Sequence, residues 1–287
     1  MQKTLSALIP IILLVFTLSR CVPASPGREH WNQAHRQFQK GDYVDTLAYL
    51  DDILSRDTGY TKRASGWKIV ILGAMTRAAI EWEEACDEGM YFVSQRESKS
   101  YRICVQQYRR QVKTRLFALL DAIKEFEQAT QSSEMVKLAF PLPNASAVAS
   151  PILRRIKIGN MPPSDNILEA AAARTLDRHF ILQSQDVVGV KDSNVLKSRF
   201  ASLPVQVTKT QFLLGVARTL QQASSVFGAG RLDDNVRQRL VLKRARECLR
   251  LALEDDNKAV KNAARALARK TRVYAKTKTL RDNLQNR

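Results

Sequence analysis

Glycine and proline are scarce in this chain, 11 and 9 among 287 residues. A sandwich or barrel needs a turn roughly every 8–12 residues, so that composition disfavours an all-β fold. Histidine is scarcer still. Of His30, His35 and His179, the first two lie five apart with no acid between them, so the helical zinc-protease pair is absent. No Walker loop, nucleophile elbow or paired-cysteine zinc set occurs. Adjacent carboxylates such as Asp51 and Asp52 arise by chance in a chain of this length and point to no acid–base chemistry. The expectation is a non-enzyme, without catalytic residues, cofactor or metal site. Long apolar runs are missing too. The best, Leu5 to Leu18, is 14 residues and is broken by Pro10, short of the roughly 20 needed to span a bilayer.

What the chain does have is apolar material and positive charge. Hydrophobic residues make up 45%, which excludes a fully disordered basic chain and suffices for one large or two ordinary domains. Lysine and arginine number 46 against 28 acids, a formal charge of +18. The excess is uneven: residues 1–30 carry +2, residues 31–135 balance, residues 136–238 carry +6 and residues 239–287 carry +10. Any electrostatic function belongs at the C-terminal end.

Residues 1–25 read as an export label, with basic Lys3 before the short apolar run. The run ends in Leu18-Ser19-Arg20-Cys21, which resembles the lipobox of bacterial lipoproteins, with Arg20 departing from the small residue that family carries beside the cleavage point. The resemblance implies lipidation of Cys21 as the mature N-terminus, a membrane attachment facing the periplasm, and a mature charge of +16 once Lys3 and Arg20 are removed. A cut after Ala24, giving a soluble periplasmic or secreted protein, is the alternative. Three cysteines then remain. Cys86 and Cys104 flank a segment able to turn between two helices and form a candidate disulfide in an oxidising compartment; two independent buried thiols are the other reading. Cys248 sits in an apolar helical stripe as a small core residue.

The body reads as helical. Trp31, Ala34, Phe38, Gly41, Tyr43, Leu47, Tyr49 and Leu54 resemble one tetratricopeptide repeat, two antiparallel helices about a tight turn, although Thr46, Ile53 and Thr58 depart from it. Residues 66–89 carry a single glycine after KIVIL, so a buried helix is preferred to a dinucleotide-binding strand. Glu81, Glu83, Glu84, Asp87 and Glu88 are expected on a solvated face. Val105, Tyr108, Val112, Leu116, Leu119, Ile123 and Phe126 mark a long amphipathic helix over 101–130. Its basic residues come early and its acids late, against the helix dipole, so packing must hold it. Five prolines in residues 139–166 suggest a linker, with a short strand over 152–158, a helix over 167–179 and loop over 180–205. Thr208 and Gln211 read as a capping box, and Asp233 and Asp234 as caps of the next helix.

Residues 248–270 resemble a HEAT repeat through Leu249, Leu253, Asp255, Val260, Ala263, Ala264, Ala266 and Leu267, with Asp255 as the cap of its second helix. The two resemblances together imply an all-α fold of antiparallel hairpins stacked as a solenoid, a surface usually presented to partners. The expected layout is a signal peptide (1–20), a tether (21–29), a TPR-like domain (30–135), a Pro-rich linker with one helix (136–205) and a HEAT-like basic domain (206–287). Arg244, Arg246, Arg250, Lys258, Lys261, Arg265, Arg269, Lys270, Arg272, Lys276 and Lys278 are the candidate polyanion-binding residues. With Tyr274 as the only aromatic of the tail, stacking on bases is poorly supported and nucleic acid is disfavoured. The expected role is a lipid-anchored scaffold or adaptor engaging a protein partner in the cell envelope. The alternative is electrostatic binding of anionic lipid, lipopolysaccharide or cell-wall polymer.

Overall fold

The computed structural model describes residues 26–56, 59–228 and 231–285, with side chains to Thr271. The lipobox-like segment and Cys21 lie outside the described residues. Ten α-helices are present among the described residues: α1 (Pro26–Gln39), α2 (Tyr43–Ser55), α3 (Thr61–Gly89), α4 (Ser98–Ala129), α5 (Pro151–Lys157), α6 (Asp165–Val188), α7 (Ser193–Phe200), α8 (Lys209–Ser224), α9 (Asn235–Glu254) and α10 (Lys258–Gln285). The fold is all-α, with one small antiparallel ribbon in which β1 (Met135–Leu138) pairs with β2 (Val205–Thr208), Val136 opposite Val207.

The apolar pattern explains the layers. α3 carries buried residues all round its circumference, from Ala64 and Trp67 to Cys86, so it must be enclosed. It lies along α4 and also packs against α2, α5, α6, α8 and β1. In a solenoid each repeat touches only its sequence neighbours; here the helices instead gather around one buried helix. α1 and α2 form a hairpin about Gly41, whose φ of +78° suits the left-handed turn closed by the Gly41 and Asp42 amides. α8, α9 and α10 pack on one another at the C-terminal side.

The Pro-rich stretch is not a linker between two bodies. Phe140 stacks on Trp67 at 4.6 Å between ring centroids, and Phe180 of α6 stacks on the same indole at 5.4 Å. Trp31, Trp67, Phe140, Phe180, Phe212, and Leu249 belong to one continuous apolar core, so its residues come from all three expected segments. The stretch expected as a strand over 152–158 is helical instead: residues 152–157 lie in α5 and Ile158 caps it, and Leu153 and Ile156, at helical spacing, are the pair that reaches the core. Residues 180–205 are mostly helical: α6 continues to Val188, ended by Gly189 in the left-handed conformation, and α7 follows. Close approach fixes α8 on α6. A Cβ on Gly215 would stand 2.5 Å from the backbone of Asp186 and Val187.

Two capping details differ from expectation. Thr208 accepts the Gln211 amide at 3.2 Å, but the Gln211 side chain donates to the Asp186 carbonyl at 3.0 Å, so the box is half formed. Asn257, not Asp255, caps α10 by accepting the Ala259 amide at 3.0 Å.

Candidate functional site

Chemistry-bearing side chains gather in two places. The first is an ion-pair network along α3. Glu83, fully buried, accepts the Nε–H of Arg109 at 2.8 Å and also pairs with Arg231. Arg109 reaches Asp87 and Arg231 reaches Glu84. Glu81 pairs with Arg178, and its carboxylate lies 2.7 Å from His179 Nε2. The expected solvated acidic face is therefore corrected: its central acids are enclosed and neutralised by arginines from other elements. Burial, then the charges of Arg178 and Arg77, hold His179 well below its ordinary pKa, so the ring is neutral, with Nε2 2.7 Å from the Glu81 carboxylate and 3.0 Å from Arg178 Nη2. These groups line a small polar cleft with Arg77 and Ser225, yet the Ser225 hydroxyl donates to the Gln222 carbonyl at 2.7 Å and the charged groups pair among themselves. The arrangement stabilises the helix packing.

The second place is a basic cleft of about 860 Å³ between α9 and the C-terminus of α4. Lys209, Lys243, Arg244, Arg246 and Arg250 line it, with Glu127 and Glu247 as its acids. Arg244 is committed to Glu127 at 3.2 Å and Glu247 at 2.9 Å. Burial raises the pKa of Glu127, and Arg244 only partly opposes that. Lys209, only 4% exposed, donates to the Thr130 carbonyl at 2.6 Å and sits over the Phe126 ring. That carbonyl terminates α4, where the dipole favours a cation. Burial lowers the Lys209 pKa, with Glu127 and Glu134 opposing the shift. Lys243, Arg246 and Arg250 are exposed and make no ion pair among the described residues. Their spacing of three and four places them on one face of α9, the face that looks into the cleft.

Of the candidate polyanion-binding residues, the cleft brings together Arg244, Arg246 and Arg250. Lys258, Arg265, Arg269 and Lys270 are exposed and Lys261 half-buried along α10, outside the cleft lining. Arg272, Lys276 and Lys278 lie on α10 beyond the described side chains. Lys209 was not legible as a site residue. A lone lysine at a helix start gives no sign of burial, and only the fold brings it to the end of α4.

Cys86 and Cys104 are joined as a disulfide between α3 and α4, with Cα atoms 6.1 Å apart. Cys248 is buried and free, and burial pushes its thiol pKa up. Among the described residues no helix is long and apolar enough to cross a membrane, and no group of three metal-ligating side chains comes together. No protein-family model, curated protein or solved structure matches this chain.

Proposed function

We propose that the protein is an exported, lipid-anchored binding protein of the cell envelope that docks on anionic surfaces through the α9 cleft and the exposed cations of α10. The observation that carries this reading is the set Lys243, Arg246 and Arg250, cations without ion pairs around a concave surface. Cations without ion pairs in a chain of +18 repel one another and are relieved by polyanions. A basic residue near an anionic bilayer contributes about 1 kcal/mol, so Lys243→Gln, Arg246→Gln and Arg250→Gln together should weaken binding to phosphatidylglycerol vesicles on the order of 100-fold at low salt. Wild-type binding should also fall as salt rises. Equal affinity of the triple variant and the wild type would reject the cleft as the docking surface. Fatty-acid analogue labelling that is lost in Cys21→Ala would support the anchor.

A second reading, an adaptor for a protein partner, is favoured by a different surface. Tyr91, Phe92 and Ile158 are 79%, 68% and 67% exposed. Such side chains at one end of a helical body suit a protein contact. Partner retention in high salt would separate it from the polyanion reading.

A further inference from the structure

A further cleft, of about 1100 Å³, has the opposite chemistry from the α9 site. It opens between the end of α3, the start of α4 and the loop leading into α6. Its aromatic floor is Trp82, Tyr101 and Tyr108, and Trp82 stacks on Tyr108 at 5.2 Å with an interplanar angle of 18°. The Cys86–Cys104 disulfide ties the two helices at this point, and Cys104 itself lines the cleft. Its charged lining is Glu97, Asp165 and Glu169, with no lysine or arginine. In a chain with an excess of 18 positive charges, an all-acidic lining is a local inversion of the surface field.

Three further features bear on an occupant. Asp165 and Glu169 are exposed and make no ion pair among the described residues, while Glu97 accepts only the Ser94 hydroxyl and amide. Trp82 is 3% exposed, and its indole N–H has no hydrogen-bond partner. The Trp67 indole is also unpartnered, but it lies inside the stacked aromatic core, away from this cleft. Finally, exposed Ile103 lines the cleft, and Phe92 adjoins Gly159 of the lining, where an added Cβ would come within 2.9 Å of the Phe92 Cβ. An apolar shelf therefore borders an acidic, aromatic-floored groove.

We infer that this groove binds a cationic peptide segment of a partner protein, one that alternates arginine or lysine with apolar side chains. The cations meet Asp165 and Glu169 and lie against the Tyr108–Trp82 stack, where the ring quadrupoles attract positive charge. The apolar residues cover Phe92 and Ile103, and the peptide lies over Tyr108, whose ring stacks on Trp82. A polyanion is repelled by the same three carboxylates, so this groove and the α9 cleft select opposite partners. The assignment rests on the adaptor reading and names the chemistry of its partner.

The test uses fluorescein-labelled octapeptides, one alternating arginine with leucine and one alternating glutamate with leucine, followed by anisotropy, with the Trp82 indole N–H watched by NMR and assigned through Trp82→Phe. The arginine peptide should bind and shift the Trp82 resonance, and the glutamate peptide should not. Asp165→Asn with Glu169→Gln, both at exposed positions, should weaken the arginine peptide roughly tenfold. Asp121→Asn with Asp256→Asn, exposed acids elsewhere, should leave it unchanged. Equal weakening by both pairs, or binding that leaves Trp82 unmoved, would overturn the groove as the site. Absence of arginine-peptide binding would overturn the partner chemistry, whereas a high-salt partner retained by the Asp165/Glu169 variant would leave the adaptor reading standing without this groove.

Discussion

At the scale of single residues, the most consequential group is Glu83. A carboxylate with no exposure survives because Arg109 and Arg231 surround it; removing it leaves Arg109 only Asp87 and Arg231 only Glu84, and burial already opposes the charge on Arg231. Glu83→Ala should therefore cost about 3 kcal/mol or more of unfolding free energy, measured by urea titration, while Glu83→Gln should lose less because its amide oxygen still accepts one bond. His179 gives a pH signature. Its pKa is lowered in the fold from an ordinary 6.5, so the unfolded chain binds a proton that the native state refuses. That contribution is fully present above about pH 6.5 and is lost progressively as the pH falls, at about 1 kcal/mol per pH unit. Melting curves from pH 7 to 5 should show a shallower decline in His179→Gln than in the wild type; parallel declines would show that the ring is charged in the fold.

At the scale of elements, α4 illustrates how a helix with the wrong charge order is held. Glu125 and Glu127 stand near its C-terminus, where the dipole disfavours them, and its last turn has no basic residue of its own. The missing cations come from other helices. Lys68 of α3 meets Glu125 at 3.2 Å, Arg244 of α9 meets Glu127 at 3.2 Å, and Lys209 of α8 caps the Thr130 carbonyl. Burial opposes the charge on Lys68, but Asp51 and Glu125 outweigh it and raise its pKa. The disulfide acts on the same helix pair. It closes a sequence separation of 18 residues, so Cys104→Ser should lower stability by about 3 kcal/mol in oxidising buffer and remove the sensitivity of the melt to reductant. Identical melting of wild type with and without reductant would show that the pair contributes nothing.

At the scale of the molecule, one large core fed by all three expected segments sets the behaviour, with a smaller cluster around Trp82, Tyr101 and Ile156 beside it. Because Trp67 of α3, Phe140 before α5, Phe180 of α6 and Phe212 of α8 pack together, far-UV circular dichroism and tryptophan fluorescence should report one coincident unfolding transition. Two separated transitions would instead mark independent bodies on either side of the Pro-rich stretch. The same packing decides how the basic end must be probed. Val241, Ala245, Leu249 and Ala252 of α9 are buried against the rest, so deleting residues 239–287 would strip the core as well as the charge. Neutralising the exposed cations leaves that core intact.

Some of this was legible in the residues. The stripe from Val105 to Phe126 announced α4, and Gly41 announced the turn between α1 and α2, because burial with a period near 3.6 and a left-handed glycine are local properties. The concentration of charge after residue 238 is likewise a property of the sequence alone. The linker reading failed because proline density reports where a helix cannot run, not whether Phe140 between the prolines is buried. The acidic face of α3 failed because its partners are remote: Arg231 lies 148 positions from Glu83. The sequence by itself determined that the chain is helical, rich in cations at its end and equipped with a candidate pair of cysteines. Only the tertiary structure decided which charges are spent on one another and which remain free around a cleft. Helix periodicity is set by contacts three and four residues apart, whereas an ion pair between distant helices exists only once the core has brought them together.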